Sequence, residues 1–592
     1  MNSSAGIACN AGAQWELTVT VFQHYTKVVH DILDDLVARS VFPAAIDRSN
    51  ITVEPPRDAT HGDLAINAAM VLAKPAGTNP RDLAGLLVAE LSQQQDVLAA
   101  EIAGPGFINL RLSNAVWLNE LRAIGNSGDE YGRSTLGAGK TVNVEYVSAN
   151  PTGPMHMGHC RGAVVGDALA NILAFAGHEV IREYYVNDAG GQVDTLSRSV
   201  HLRYREALGE AIGDIPEGYY PGDYLVPIGQ ELARQYGDKF AGAAEAEWLI
   251  LFREFAVAKM MDLIRSDLAL LGIHHDVFAS EAVVQQNKLP EAAETFLRNR
   301  SLIYDGVLEA PKGEMQDDWE PVELPLFRST QFGDDQDRPI KKSNGSWTYF
   351  GADMAYHFQK AQKADALINI WGADHAGTVK RIKAAVDALT EGKVALDVKL
   401  VQMVRLMRAG ELVKMGKRLG NFVTLADVVE EVGKDVVRFT MLTRRADAQM
   451  DFDFAKVVEV SKDNPVFYVQ YAHARIQSTL RKAALEGLVA DDAKLELLGD
   501  EELSLIRETA NFPRIVEASA KSGEPHRIAF YLGDLAAAFH SYWNLGNDDP
   551  AKRFILAQEP ELTSARLFLA TNIGQVLRNG LRLMGVEATN SM

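Results

Sequence analysis

"NPTGPMHMGH", Asn150–His159, places two histidines three residues apart where a predicted strand ends and a predicted helix begins. The preceding residues 141–148 form a short, β-branched run bounded by turn residues, which predicts a central strand of a parallel sheet. Apolar residues recur at helical spacing over residues 158–176, and residues 179–186 predict a second strand. Such a strand–helix–strand unit folds with a right-handed crossover. The sequence therefore predicts an α/β domain built on a parallel sheet.

The chain has 592 residues, which is too long for one hydrophobic core, so we expect several domains. Residues 1–130 predict a small α+β domain whose first ~20 residues are a loose extension. A segment rich in glycine, serine and charge, residues 125–140, predicts a linker. The α/β domain spans residues 131–424, with a largely helical insertion at about 195–340, and residues 425–592 predict an all-α domain.

The net charge of −20 argues against indiscriminate binding to nucleic acid, which needs a broadly basic surface. A specific RNA contact through local basic pairs stays possible, and the candidates are Lys341–Lys342, Arg444–Arg445 and Arg481–Lys482. The only cysteines are Cys9 and Cys160, so we expect neither a disulfide framework nor a zinc site. We find no apolar run long enough for a membrane span and no signal peptide. These features predict a cytoplasmic protein.

His156 and His159 lie where open α/β sheets bind their ligands, at the carboxyl end of a strand. The free N–H groups of a helix N-terminus favour anions, and an imidazole donates a hydrogen bond whether it is neutral or charged. Gly158 allows a ligand to approach the backbone. The segment therefore predicts a phosphate site, with a pair of structural loop histidines as the alternative.

A second cluster, of basic residues, lies far downstream. The segment "ELVKMGKRLGNFVTL", residues 411–425, carries Lys414 and Lys417 in a loop that contains glycine. Such a loop can close over a polyphosphate and neutralise the charge that develops there. A solvated lysine pair is the alternative for this segment alone, but the presence of both clusters in one chain favours a shared phosphate site.

The two clusters resemble the two signature motifs of class I aminoacyl-tRNA synthetases. The segments "VEYVSANPTGPMHMGHCRGAVVGDALANIL", "REYYVNDAGGQ", "WGADHAG" and "NPVFYVQYAHARI" are similar to bacterial-type arginyl-tRNA synthetases. The resemblance extends over residues 22–592 and departs at Gly416, where the family usually has serine. It implies a Rossmann-like catalytic domain, an N-terminal domain that contacts tRNA, and an all-α domain that binds the anticodon.

The chemistry of arginine also points to acidic residues. Its planar guanidinium is always charged and pairs best with carboxylates. Glu145 lies on the predicted strand before the histidines, and Tyr349 and Asp353 lie four residues apart, on one face of a helical turn. A strand-edge carboxylate and a helix cap are the alternatives for Glu145 and Asp353. The resemblance implies an arginine site made of Glu145, Asn150, His159, Tyr349 and Asp353.

The resemblance further implies which residues act on ATP. It gives the catalytic role to His156, His159, Lys414 and Lys417. It implies an ATP site that adds Pro151, Thr152, Gly153, Gly158, Asp374 and His375 to these four. Magnesium is expected to accompany ATP, bound mostly through phosphate oxygens and water, with no metal site of the protein's own and no zinc.

The activity implied by the resemblance is ATP-dependent activation of L-arginine to arginyl-adenylate and its transfer to the 3′ end of tRNA(Arg), by a monomer. One alternative is a related enzyme for another amino acid, or a nucleotidylyltransferase without an RNA substrate. The other is a non-catalytic RNA-binding paralogue. A predicted helix over residues 464–480 carries Tyr468, Tyr471, His473 and Arg475, which are residue types that stack on RNA bases but also occur in cores.

Overall fold

The computed structural model describes residues 19–307, 322–413 and 423–592. Lys414 and Lys417 lie outside these ranges, as does most of the predicted N-terminal extension. The described residues form an N-terminal α+β part, a central part built on a parallel sheet and a helical C-terminal part, which confirms the predicted fold class. Among the helices of these ranges, none is long and apolar enough to cross a membrane.

The N-terminal part packs helices against a four-stranded antiparallel sheet. Its elements are α1 (Val21–Ala38), β1 (Val53–Glu54), β2 (Leu64–Ile66), α2 (Ala68–Leu72), α3 (Pro80–Leu91), β3 (Val97–Ala103), β4 (Phe107–Leu112) and α4 (Asn114–Ser127). The strands are ordered β1-β2-β4-β3. Ile108, Leu110 and Leu112 are buried at alternate positions of β4, so this strand turns one apolar face to the core.

The central part contains most of the remaining strands. They are β5 (Thr141–Glu145), β6 (Glu179–Val186), β7 (Val277–Ser280), β8 (Ile303–Val307), β9 (Glu323–Phe327), β10 (Arg338–Pro339), β11 (Ala366–Gly372), β12 (Ala395–Val401), β13 (Val404–Arg408) and β14 (Glu411–Leu412). Its helices are α5 (Met157–Phe175), α6 (Gly191–Ala207), α7 (Val226–Tyr236), α8 (Glu245–Leu270), α9 (Glu281–Gln286), α10 (Leu289–Arg298), α11 (Tyr349–Ala361) and α12 (Val379–Thr390).

Five of these strands form the parallel sheet, in the order β12-β11-β5-β6-β7. The chain moves outward from β5 through β6 and β7, and later returns through β11 and β12 on the other side. The order therefore switches direction between β5 and β11, which leaves a crevice at the carboxyl ends of these strands. Helix α5 leaves β5 at this point and is buried along most of its length. The histidine segment thus begins the helix at the switch point.

The segment predicted as a largely helical insertion contains more than helices. β7 extends the parallel sheet by pairing with β6, and β8, β9 and β10 form a separate antiparallel sheet. The sequence prediction missed these strands because most of them have five residues or fewer, which leaves little alternation to recognise. The predicted domain boundaries stay predictions.

The C-terminal part is helical apart from one strand. Its elements are α13 (Leu425–Val432), α14 (Lys434–Met441), β15 (Met450–Asp453), α15 (Phe454–Val457), α16 (Pro465–Leu485), α17 (Asp500–Ala510), α18 (Phe512–Ser522), α19 (His526–Asp548) and α20 (Pro560–Leu583). β15 pairs in parallel with β13 and buries Met450 and Phe452. Residues 425–592 are therefore not helical throughout, because this short alternating run completes a small sheet of the central part.

Buried side chains form one large continuous core and two smaller ones. The large core runs from α1 through α5 to α20 and so joins the three parts of the chain. A second core lies between α11, α12 and β11, and a third lies among α6, α7 and α8. Because α11 packs on the second core, its position relative to the sheet is firmly determined.

Candidate active site

The two histidines form a capped turn at the start of α5. The backbone N–H of Gly158 donates to Nδ1 of His156 at 3.1 Å, and the N–H of His156 donates to Nδ1 of His159 at 3.4 Å. The rings stack, with 3.9 Å between their centroids. Because each Nδ1 accepts a hydrogen bond, a neutral ring carries its proton on Nε2. Both side chains can therefore donate from Nε2, which suits the oxygens of a phosphate.

Gly158 is required by this arrangement. A Cβ at this position would lie 2.8 Å from Cε1 of the His156 ring, closer than real contacts allow. The sequence prediction attributed Gly158 to the approach of a ligand. The structure adds a second reason, because the cap formed by His156 needs the same space.

The segment before the histidines packs against the inserted helices. The hydroxyl of Tyr224 donates to the carbonyl of Thr152 at 2.8 Å, and a Cβ on Gly153 would lie 3.0 Å from that hydroxyl. Pro151 is buried. The three predicted ATP-binding residues Pro151, Thr152 and Gly153 are thus part of a packed turn whose position depends on Tyr224.

The residues that follow the predicted lysine loop lie beside the histidine segment. Thr424 forms an isolated antiparallel bridge with His156, and the N–H of Leu425 donates to the carbonyl of Met155 at 2.9 Å. Lys414 and Lys417 themselves fall in the stretch that the structure does not describe. These contacts join the histidine turn to the start of α13, although most of the central part lies between the two segments in the sequence.

A group of carboxylates lies at the same edge of the sheet. Glu145 is buried at the end of β5, and its Oε2 accepts a hydrogen bond from Nζ of Lys360 at 2.6 Å. Burial opposes ionisation of this carboxyl, but the ammonium of Lys360 outweighs burial, so the pKa of Glu145 is lowered. Glu145 is therefore a charged residue that already has a cationic partner.

Asp353, in α11, has a raised pKa, whereas the pKa of Glu145 is lowered. Burial, reinforced by the negative charge of Glu145 and then of Glu281, raises the pKa of Asp353 to about 7. Within the described ranges its carboxylate has no hydrogen-bond or ion-pair partner. A carboxylate in this condition is stabilised by the arrival of a cation, and the planar guanidinium of arginine is one.

Glu281 was missed by the sequence reasoning. It is buried directly after β7, and burial raises the pKa of its carboxyl. Its charge acts on Asp353. The available signal was its place at the end of a strand, but β7 is short and lay within the segment predicted as helical.

The other predicted site residues are distributed over the surface around this edge. Tyr349 is 81% exposed, and Asn150 is exposed and donates to Oε1 of Gln192 at 2.8 Å. Asp374 and His375 are exposed after β11, with 3.7 Å between Oδ2 of Asp374 and Nε2 of His375. The structure thus brings together the two histidines and, separately, Glu145 with Asp353. The binding roles of all these residues stay predictions.

The RNA-binding candidates on α16 divide into two sets. Arg475 donates to the hydroxyl of Tyr471 at 2.6 Å, and its guanidinium lies 4.8 Å from the ring centroid of Trp543. His473 is buried instead, and its Nδ1 pairs with the carbonyl of Thr589 at 2.9 Å. His473 therefore has a packing role, and Arg475 with its aromatic neighbours keeps the chemistry that unstacked bases need.

No group of three or more His, Cys, Asp or Glu side chains is arranged to hold a metal ion in the part of the chain that the structure covers. Cys160 is buried behind the histidine turn, and burial raises the pKa of its thiol to about 12. A thiol in this state is a weak ligand and a weak nucleophile.

Comparison with known proteins gives three family models in sequence order. The model for the arginyl tRNA synthetase N terminal domain matches residues 23–112. The model for the catalytic domain of class I (R) tRNA synthetases matches residues 121–477, and that for the DALR anticodon binding domain matches residues 469–592. Together these models account for all three parts of the fold.

Relatives are similar to this chain over their full length. The chain is 68% identical over 581 residues to the arginine–tRNA ligase of Novosphingobium aromaticivorans, covering 98% of this chain and 100% of the relative. It is 54% identical over 581 residues to the corresponding ligase of Paracoccus denitrificans, covering 97% and 100%. The solved arginyl-tRNA synthetase of Thermus thermophilus has a similar fold, with a TM-score of 0.72 at 22% identity over 96% of this chain and 100% of that one.

Proposed function

The chain belongs to the arginyl-tRNA synthetase family of class I, and from this membership we infer that it activates arginine with ATP and joins it to tRNA. The observation that carries this function is the 68% identity with an arginine–tRNA ligase over nearly the entire chain. The α/β domain with its histidine turn and the helical C-terminal part supply the architecture that the activity needs.

The reaction has two steps. The carboxylate of arginine attacks the α-phosphate of ATP, which forms arginyl-adenylate and releases pyrophosphate. A hydroxyl of the terminal ribose of the tRNA then attacks the carbonyl of the adenylate and releases AMP. Side chains form no covalent bond in either step, so catalysis depends on positioning and on stabilising charge.

His156 and His159 act on the phosphates in our proposal. The Nδ1 atom of each ring accepts a hydrogen bond from a backbone N–H group, so a neutral ring carries its proton on Nε2 and can donate it to a phosphate oxygen. Gly158 keeps the backbone of this turn accessible. Lys414 and Lys417 neutralise the leaving pyrophosphate, a role that rests on the resemblance alone.

The rest of the nucleotide site is proposed from its place in the fold. Pro151, Thr152 and Gly153 precede the histidine turn, and Asp374 and His375 follow β11 across the switch point. These two segments flank the crevice in which open α/β sheets bind nucleotides. A magnesium ion that accompanies ATP would be held by phosphate oxygens and water and would supply positive charge to the phosphates.

The arginine site is built on Asp353 in our proposal. The carboxylates of Asp353 and Glu281 receive the guanidinium, whose positive charge offsets the burial and the repulsion from Glu145 that raise the pKa of Asp353. Glu145, Asn150, His159 and Tyr349 border the same edge of the sheet and complete the site predicted by the resemblance. Tyr349 is 81% exposed, so its ring is accessible to a ligand at this edge of the sheet.

The remaining features of the proposal concern the whole protein. We propose that it acts as a monomer in the cytoplasm, with residues 1–130 contacting the tRNA, residues 131–424 carrying catalysis and residues 425–592 binding the anticodon. A non-catalytic RNA-binding paralogue is the alternative. Such a protein has no need of His159 or Lys417, and this chain retains both.

A charging assay tests the proposed function. The purified protein is incubated with ATP, total tRNA and each of the twenty amino acids in turn, and aminoacyl-tRNA is measured. We expect charging with arginine only. Charging with a different amino acid would contradict the proposed substrate, and RNA binding without any charging would favour the paralogue.

Arginine binding should weaken as the pH falls below about 7. The free protein protonates Asp353 near this pH, and a bound guanidinium requires its ionised form, so affinity should fall by up to about tenfold per pH unit below the pKa and be constant above it. Calorimetric titration of arginine at several pH values measures this. Asp353→Asn is the control and should lack the dependence. Equal affinity of the unaltered protein at pH values of about 6 and 8 would contradict the assignment of the pKa.

A further inference from the structure

Lys360 is a buried lysine between α11 and the parallel sheet, where the proposed mechanism gives it no role. Only 3% of the residue is exposed. Its Nζ donates to Oε2 of Glu145 at 2.6 Å and to Oδ1 of Asn369 at 2.7 Å. Asn369 and Glu145 are register partners on β11 and β5. One ammonium therefore joins the two strands that border the switch point.

A chain of hydrogen bonds continues from Asn369 to the start of α11. Nδ2 of Asn369 donates to Nε2 of His357 at 2.8 Å, and Nδ1 of His357 donates to the backbone carbonyl of Asp353 at 2.8 Å. Burial and the nearby charge of Lys360 lower the pKa of His357 to about 3, so its ring is neutral and uses one nitrogen as acceptor and the other as donor. The network thus links Glu145 to the turn of α11 that carries Asp353.

We propose that Lys360 is a positioning residue for arginine recognition, which keeps Glu145 ionised and in place and sets the distance between Glu145 and Asp353. This inference rests on the proposed function. Lys360 pairs with Glu145 and so leaves the carboxylates of Asp353 and Glu281 for the guanidinium. The site already contains the ammonium of Lys360, and the guanidinium of arginine is the second cation that enters it.

The balance of charge supports this assignment. Asp353, Tyr356 and His357 on α11 and Tyr185 on β6 interact with Glu145. Around them, Glu183 on β6 acts on Tyr356, and Glu281 on α9 and Arg381 on α12 act on Asp353. Glu183 is the register partner of Glu145 on the side opposite Asn369. Carboxylates predominate in this set, so loss of Lys360 leaves Glu145 facing other negative groups. Repulsion and burial then favour its protonated form.

The test compares Lys360→Met with the unaltered protein in calorimetric titrations of arginine across a range of pH and in steady-state charging kinetics. We expect the KM for arginine to rise by at least about 30-fold at neutral pH, because a buried charge pair is broken beside the site. The KM for ATP should change by less than about threefold, because the phosphates bind elsewhere. The midpoint of the pH profile for arginine binding should move upward by about one unit, since Lys360 lowers the pKa of both Glu145 and Asp353.

Two further variants separate this role from simple packing. Lys360→Arg keeps the positive charge, so the midpoint of the pH profile for arginine binding should not change. Lys363→Met removes an exposed lysine one turn away and should change neither KM nor midpoint. A midpoint in Lys360→Met equal to that of the unaltered protein, with any loss of affinity uniform over pH, would overturn the proposal.

A double variant covers the case in which Lys360→Met does not fold. Glu145→Gln with Lys360→Met removes both charges of the pair, so neither partner stays buried as an ion without the other and the variant should fold. Its arginine affinity should be reduced, but its midpoint should stay near that of the unaltered protein, because the two charges act on Asp353 in opposite directions. A midpoint shifted upward by about one unit in the double variant would overturn the proposal, because removal of Glu145 would then not offset removal of Lys360. Absence of arginine charging by the unaltered protein would instead contradict the proposed function.

Discussion

Replacing Asp353 by asparagine should raise the arginine KM by roughly 30-fold or more, because truncating one partner of a desolvated charge pair costs about 2–5 kcal/mol. Asparagine keeps the size of the side chain but removes the charge that meets the guanidinium. The KM for ATP should change little, since the histidine turn is untouched. Steady-state charging kinetics with arginine and ATP varied separately would measure both effects.

Stability separates this loss of recognition from damage to the fold. The pKa of Asp353 is raised in the folded protein, so its ionised form opposes folding at pH values above about 7. Asp353→Asn removes that opposition, and its melting temperature at about pH 8 should equal or exceed that of the unaltered protein. Asp262→Asn, at an exposed position on α8, is the matched control and should change neither the KM for arginine nor the melting temperature. Arginine KM unchanged in Asp353→Asn would mean that the guanidinium binds elsewhere.

Replacing Arg438 by methionine should destabilise the protein by about 3–5 kcal/mol, because it leaves a buried carboxylate without its partner. Arg438 is fully buried, and one of its nitrogens donates to Oδ2 of Asp167 at 2.5 Å. Its other nitrogens donate to the carbonyls of Met584 and Leu271, each at 2.8 Å. This one guanidinium therefore joins α14 to α5, to the end of α20 and to the end of α8, and the loss should appear in urea unfolding.

The exposed pair formed by Arg405 and Asp451 is the matched control. These residues also make a bidentate contact, at 2.7 and 3.1 Å, between neighbouring strands, but both side chains are about half exposed. Arg405→Met should therefore cost less than about 1 kcal/mol. Equal destabilisation by the two variants would contradict the prediction, because the buried pair of Arg438 would then contribute no more than an exposed pair. Replacing Asp167 and Arg438 together by leucine and methionine should recover part of the loss, because no lone ion remains.

Local patterns were sufficient for the framework of the molecule. The β-branched run before the histidines, the helical periodicity after them and the second strand predicted the strand–helix–strand unit, and the structure contains β5, α5 and β6 at those positions. The same patterns located the histidine turn at the carboxyl end of β5. Such signals depend on neighbouring residues only, and for that reason a single sequence reveals them.

The limits of local patterns also appear in particular elements. β7 has four residues and β15 has four, so neither shows enough alternation to stand out from a helical surrounding. Both strands exist because a longer neighbour, β6 or β13, offers unpaired backbone groups along its edge. Tertiary pairing thus overrode a weak local preference.

The sequence by itself was sufficient for the α/β fold and the helical C-terminal part, and it supplied the predictions that His156 and His159 bind phosphate and that acidic residues bind arginine. Only the tertiary structure decided that Glu145, and not Asp353, pairs with the ammonium of Lys360. Glu145 and Lys360 are 215 residues apart in the chain, and they meet because β5 and β11 pair in a register that aligns Glu145 with Asn369. The pKa of Asp353 and the contribution of Glu281 depend on the same packing. Electrostatic interactions act over distances of a few ångströms in space, so they are set by sheet register and helix packing and not by spacing along the sequence.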